Sequence, residues 1–198
     1  MRQVVIMVAL VAAWVGSSAS ASALDFSQSG NTARISGAVK PGDGAKFDEF
    51  MARPGASSIR IFILNSPGGS IGNALEIARR IRRMGAATVV DGKASCESAC
   101  TVIFAGGSNR HYVNTSGLQD RLGGNRGGLG FHEGNNANAD GRGRQYSGQG
   151  TAAMINAYYE LGVGGAAQFA TKAGFNAMYR VSGQTALQNR VATSLSPP

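Results

Sequence analysis

Apolar positions along this chain follow two different periods, and the switch between them marks its organisation. Ser58–Leu64, SIRIFIL, is an apolar run dense in β-branched residues, the signature of a buried strand. Between Ile71 and Met84 the spacing becomes helical. Ile71, Ala74, Ile77, Ala78, Ile81 and Met84 form one stripe, with Arg79, Arg80 and Arg83 off it and Arg82 at its edge. After Gly85, Ala87–Val90 reads as a second buried strand. Strand, glycine loop, helix and strand make a βαβ unit, which implies parallel strands and a right-handed crossover. The loop Asn65-Ser66-Pro67-Gly68-Gly69-Ser70 then lies beyond the carboxyl end of the first strand, where ligands bind in such sheets.

The remaining pattern is weaker. Leu24–Val39 reads as a lead-in and one strand, Pro41–Gly44 as a turn, and Ala45–Arg53 as a short helix closed by Pro54-Gly55. Ser98–Ala105 is small and apolar throughout, as in a helix buried on all sides, and His111 follows it in a turn at the surface. Asn114–Gly150 is rich in Gly and Asn and is the least ordered-looking segment, either a lid or an insertion. Within it Gly128–His132 is a short strand pattern. Thr151–Leu161 is an amphipathic helix, and Ala166–Ala173 a weaker one.

Composition narrows the classes. Arg2, the apolar run Val4–Val15 and the small-residue tail ending Ala21-Ser22-Ala23 form a signal peptide over residues 1–23, so the protein is expected to be periplasmic or secreted. No later segment reaches the roughly 20 apolar residues a membrane span needs. Residues 24–198 fit one domain. Nineteen Lys and Arg against 11 Asp and Glu give a net charge of +8, but the cations are scattered apart from the Arg79–Arg83 cluster and lack interleaved aromatics. That argues against nucleic acid as a partner and for a solvated helix face.

Cys96 and Cys100 are the only cysteines. Export favours oxidation, and a helical i, i+4 spacing brings Cα atoms to about 6 Å, within reach of a disulfide. A zinc site using both with a histidine is the rival reading, although the spacing fits no familiar pattern. Nothing else calls for a metal or cofactor: the glycine loop lacks the P-loop lysine and is not a GxGxxG.

Chemistry converges on Ser98. Ser is a favoured N-cap residue, so the simplest role for it is to cap the helix that follows. A nucleophile at the same place needs a base, and His132 at the end of its strand would reach the carboxyl-end face that Ser98 occupies. Gly68-Gly69, at a helix start, offers backbone N–H donors suited to an oxyanion, or is merely a turn.

Taken together, Asn65-Ser66-Pro67-Gly68-Gly69, Ser98-Ala99 opening an apolar helix that ends in Ala105-Gly106-Gly107, and Phe131-His132 resemble the Clp-type serine peptidases of the crotonase superfamily. The closer likeness is to exported bacterial relatives with a Cys-x-Ser-Ala-Cys motif, matched here by Cys96-Glu97-Ser98-Ala99-Cys100. The resemblance covers about Arg34 to Thr193. It implies an α/β fold, a Clp/crotonase-like repeated ββα superhelix with a mostly parallel sheet flanked by helices. It further implies Ser98 as nucleophile, His132 as general base, and Gly69 or Gly68 with Ala99 as oxyanion hole. At the position where the family carries an aspartate this chain has Asn176, with Glu133 and Asp140 as fallback partners and no acidic residue after Glu160. The expected activity is therefore hydrolysis of a peptide or other acyl bond, with a catalytically silent binding protein as the alternative and an acyl-CoA enzyme as a distant third. Related peptidases form rings, so a homo-oligomer is also expected.

Overall fold

The structure is a computed structural model of the 198-residue chain, described for residues 23–124, 127–137 and 143–198. The signal-peptide reading, apart from Ala23, lies outside the described residues, as does Asp140.

The lead-in expected as one strand is a hairpin. Strands β1 (Asp25–Ser29) and β2 (Thr32–Ser36) pair antiparallel, with Asp25 opposite Ser36 and Ser29 opposite Thr32. Gly30-Asn31 is the two-residue turn between them, Gly30 having φ 59°, a loop chemistry that suits the twist of paired strands. The helix α1 (Asp43–Met51) starts two residues earlier than its apolar spacing suggests. The buried Asp43 carboxylate holds that start, accepting from the Lys40 N–H and from Lys46 Nζ.

Strand β3 (Ile61–Asn65), helix α2 (Ile71–Arg83) and strand β4 (Ala87–Asp91) form the expected parallel unit. Ala56–Ser58 is instead a 3-10 turn, so β3 begins at Ile61. Within β3 Phe62 and Leu64 are buried while Ile61 and Ile63 are half-buried. On α2 the buried residues are Ala74, Ile77, Ala78 and Ile81, the stripe read from the sequence. The sheet is completed by β6 (Arg110–Val113), giving the order β1-β2-β3-β4-β6, parallel from β2 onward. His111 thus sits on a strand, half-buried, with its Nδ1 against the Ser196 carbonyl, rather than in a surface turn.

A second sheet was not legible. Its strands are β5 (Ser95–Glu97), β7 (Arg121–Leu122), β8 (Gly128–Phe131) and, after the pieces below, β11 (Tyr179–Arg180), in the order β5-β8-β11-β7. The β5 and β8 strands are parallel, so the strand that carries His132 pairs with the one that leads into Ser98, not with the main sheet. Between β5 and β6 runs α3 (Ala99–Ala105), every residue of it buried. A small hairpin, β9 (Asn135–Ala137) with β10 (Arg144–Tyr146), follows β8. The Gly- and Asn-rich stretch therefore supplies four strands among its described residues. Of these only β8 is legible in the sequence, as Gly128–His132; the other three are two or three residues long and carry almost no alternation to count.

Helix α4 (Gly148–Glu160), capped by Ser147, packs against α2 and α3. The segment expected as a weak helix is a 3-10 stretch, Gly164–Phe169, and α5 (Gly183–Gln188) closes the chain. Both sheets and the helices share one contiguous apolar cluster, which includes Phe62, Ile77, Val102, Phe131, Tyr158 and Phe169. Arg82, at the edge of the α2 stripe, donates to the C-terminal carbonyls of two helices, Ala105 O at 2.6 Å and Leu161 O at 2.8 Å. Arg79 pairs with Glu160 and Arg80 with Asp48, so the basic face of α2 is largely engaged in ion pairs.

The second sheet carries a buried ion pair. Arg180 on β11 donates through Nη2 to Glu97 Oε1 at 2.7 Å and through Nη1 to Gly127 O at 3.0 Å, both side chains being nearly sequestered from water. Removing one partner strands a charge in low dielectric. Arg180→Ala is therefore expected to lower unfolding free energy by about 3–5 kcal/mol, and the double change Glu97→Gln with Arg180→Met to recover most of the loss. Urea denaturation followed by circular dichroism measures both.

Candidate active site

Two main-chain ladders converge on the glycine loop. On one side Val39 bridges Gly69: Val39 N donates to Gly68 O at 2.8 Å, and Ser70 N to Val39 O at 2.9 Å. On the other, Ser66 bridges Cys96: Ser66 N donates to Ser95 O at 2.7 Å, and Glu97 N to Ser66 O at 3.0 Å. The contacts leave no room for side chains. A Cβ on Gly68 would lie 2.4 Å from Glu97 O and 2.8 Å from the Ser98 Cβ, and one on Gly69 would lie 2.1 Å from Val39 O. Both glycines also have positive φ, 87° and 140°, where only glycine is at ease.

Ser98 follows immediately. It joins β5 to α3 with φ 53° and ψ −124°, a conformation that costs a non-glycine residue of order 1–3 kcal/mol. Its neighbours impose the shape. Ser98 N donates to Gly130 O on β8 at 2.8 Å, and Ser98 O accepts from Thr101 N and from Thr101 Oγ1. The Cys96–Cys100 disulfide, with Cα atoms 5.1 Å apart, spans the same turn. With both sulfurs so bonded, the zinc alternative loses its thiolate ligands. The capping alternative fails as well, since the Ser98 side chain makes no cap hydrogen bond. A sharp strand–serine–helix turn leaves the hydroxyl free and turns the first helical N–H toward the same space.

Ser98, His132, Gly68 and Gly69 line one cavity of about 440 Å³. Its donors are now specific. Gly68 N–H is spent on Ser66 Oγ at 3.1 Å and is buried, so it is removed from the candidate oxyanion donors. Gly69 is exposed and lines the cavity; Ala99 is buried and does not line it, its N–H being a first-turn donor of α3 with no acceptor inside the helix. Neither enters a hydrogen bond among the described residues.

His132 is buried, and its Nδ1 bonds the Glu133 main-chain carbonyl. A carbonyl only accepts, so Nδ1 carries the proton and Nε2 is left as a basic lone pair. Burial holds the His132 pKa below its ordinary 6.5; the Glu133 bond opposes this, the nearby Arg144 cation adds to it, and Glu97 opposes it. Ser98 and His132 are not hydrogen-bonded to each other. Asn176 shares a neighbouring cavity with His132, Glu97 and Arg180, but it sits exposed in the Gly174–Ala177 turn and makes no hydrogen bond among the described residues. The structure therefore does not join Asn176 to the imidazole, whose Nδ1 is already occupied. Glu133 contributes its carbonyl, not its carboxylate. Sequence reasoning missed Glu97 and Arg180 at this second cavity, since a carboxylate and a guanidinium 83 residues apart leave no local signal. A larger cavity of about 530 Å³, bordered by Phe47, Arg60 and Arg83, lies apart at α1 and the end of α2.

This architecture, with its mostly parallel sheet and flanking helices, has the Clp/crotonase fold. Among solved structures, the chain is similar to the membrane-bound stomatin-specific protease 1510-N. A serine-to-alanine variant of that protease aligns at TM-score 0.56 and 16% identity, over 82% of this chain and 77% of the other. A lysine-to-alanine variant in complex with a substrate peptide aligns at TM-score 0.55 and 15% identity, over 82% and 73%. A methylmalonyl CoA decarboxylase complexed with 2S-carboxypropyl CoA aligns at TM-score 0.45 and 12% identity, over 87% and 68%. No protein-family model and no curated protein matches the chain. No helix among the described residues is long and apolar enough to cross a membrane.

Glycine at position 98 relieves the backbone strain that serine carries there. Ser98→Gly is expected to raise stability by about 1 kcal/mol, visible as a melting temperature some 2–4 °C higher, while Ser98→Ala leaves it nearly unchanged. A lower melting temperature for the glycine variant would mean the serine stabilises its turn.

Proposed function

We propose that the protein is an exported serine hydrolase that cleaves a peptide or other acyl bond. The observation that carries this reading is Ser98 itself: a non-glycine residue at φ 53° with an uncapped hydroxyl, in one cavity with a basic imidazole and Gly69, and directly followed by Ala99 at the start of α3. The 1510-N protease, which binds a substrate peptide in its variant complex, supports the peptide as the acyl substrate through the shared fold.

In this mechanism the His132 Nε2 takes the Ser98 proton as Oγ attacks the acyl carbon. The oxygen of the tetrahedral intermediate accepts from the N–H groups of Gly69 and Ala99, worth about 3 kcal/mol each in the transition state. Nε2 then returns the proton to the leaving amine or alcohol, and water repeats the sequence to release the acid. The Glu133 carbonyl fixes the tautomer that an aspartate would otherwise fix. It adds no full negative charge behind the imidazolium, so turnover is slower than with a carboxylate there.

That missing charge favours a second reading, a binding protein that retains the cleft without turnover. One experiment separates them. A fluorophosphonate probe is expected to add covalently to the native protein, not to Ser98→Ala, and at least a hundredfold more slowly to His132→Ala. An unlabelled native protein would leave the binding reading standing.

The pH dependence follows from the direction of the His132 shift. The base acts when neutral, and a lowered pKa keeps it neutral further into acid. An ordinary imidazole would be only about one-quarter neutral at about pH 6; here the midpoint of the labelling rate is expected below the ordinary imidazole value, so that more than that fraction of the plateau rate is kept at the same pH. A rate already halved near pH 6.5 would show that burial does not tune this histidine.

A further inference from the structure

The lining of the Ser98 cavity carries two cations and no carboxylate. Lys40 and Arg144 both border it, and both are exposed. Each is tied by main-chain pairing to one half of the candidate machinery. Lys40 directly follows Val39, whose ladder holds the glycine loop. Arg144 opens β10 and pairs with Ala137 of β9, the strand that begins three residues after His132. The two positive charges thus come from different elements, one following the segment that holds the glycine loop and one from the hairpin that follows His132.

Two of the neighbouring carboxylates are committed elsewhere. Asp43 accepts from Lys46 Nζ and from the Lys40 N–H, which leaves the Lys40 ammonium outside its bonds. In the adjoining cavity Glu97 is held by Arg180. Neither Lys40 nor Arg144 forms an ion pair among the described residues. The apolar part of the lining includes Val39, Pro67 and Ile71, and its polar part Ser98, His132 and Asn135. Such a cleft presents favourable potential to an anionic ligand.

We propose that this cleft selects peptides bearing carboxylate side chains near the segment that faces Ser98, with Lys40 and Arg144 as the specificity-determining residues. The proposal takes from the hydrolase reading only that this cleft is where a peptide lies, and it stands whether or not the bound peptide is cleaved.

Binding to Ser98→Ala, which cannot turn a peptide over, tests it. Calorimetric titration compares an end-capped peptide of alternating alanine and glutamate with its glutamine counterpart. Two exposed charge pairs predict about tenfold tighter binding of the acidic peptide, with the advantage shrinking as salt is added. The double change Lys40→Gln with Arg144→Gln is expected to reduce the ratio to about one, and Lys40→Glu with Arg144→Glu to invert it. Both side chains are exposed, and a far-ultraviolet spectrum confirms that each variant is folded. Equal affinities, no binding of the acidic peptide, or a preference that survives the double change would each overturn the proposal; the last would move the anion site to another basic surface, such as the groove at Arg60 and Arg83. Phosphonate labelling of the native protein reports on the hydrolase reading separately, so the failure of one is not mistaken for the failure of the other.

Discussion

The site depends on a steric constraint: main chain must pass main chain at Gly68 and Gly69 with no atom between. Val39 holds the loop from one side and β5 from the other, and the approach is so close that a Cβ on either glycine would sit inside a carbonyl oxygen's contact distance. Three consequences follow from that closeness. The loop cannot shift relative to Ser98, the Gly68 N–H turns inward to Ser66, and the Gly69 N–H remains at the surface beside the first turn of α3. Fixed donors of this kind stabilise developing charge because they need no reorganisation when it appears.

The strain at Ser98 belongs to the same construction. The turn from strand to helix at this single residue takes positive φ, and serine accepts it here because three hydrogen bonds at its main chain and a disulfide across it fix its position. A chain selected only for stability would place glycine at that position. Keeping serine is the feature that most separates a functional reading of this turn from a structural one. The disulfide bridges the residues two before and two after Ser98, so oxidation shapes the backbone immediately around Ser98 rather than some distant loop.

Much of this was legible in the sequence, and the reasons for what was not are physical. The β3–α2–β4 unit could be read because a long helix with a buried stripe between two β-branched runs has strong periodicity, and SPGG could be placed at its ligand-binding end. Ser98, His132 and the disulfide pair also stood out, as chemistry on short motifs. The second sheet was hidden. Its strands are two to four residues long and sit among glycines, so the pairing of β5 with β8 that sets Ser98 beside Gly130 has no periodic signal. Long-range polar pairs were equally silent. Neither Glu97 with Arg180 nor the Glu133 carbonyl with its neighbouring imidazole has a composition signature, and Asn176 attracted attention only through resemblance.

The imidazole's environment completes the account. Burial favours its neutral form, the carbonyl at Nδ1 settles which nitrogen is free, and Arg144 nearby disfavours added positive charge. These features make His132 a base available over a wide pH range while leaving its protonated state weakly supported. The central claim is that Gly69 and Ala99 form a preorganised oxyanion site over Ser98, and a crystal structure of the phosphonylated protein tests it most directly. The account predicts the phosphonyl oxygen within hydrogen-bond distance, about 2.7–3.1 Å, of both N–H groups. A phosphonyl group on Ser98 whose oxygen points into solvent, with neither donor engaged, would contradict it.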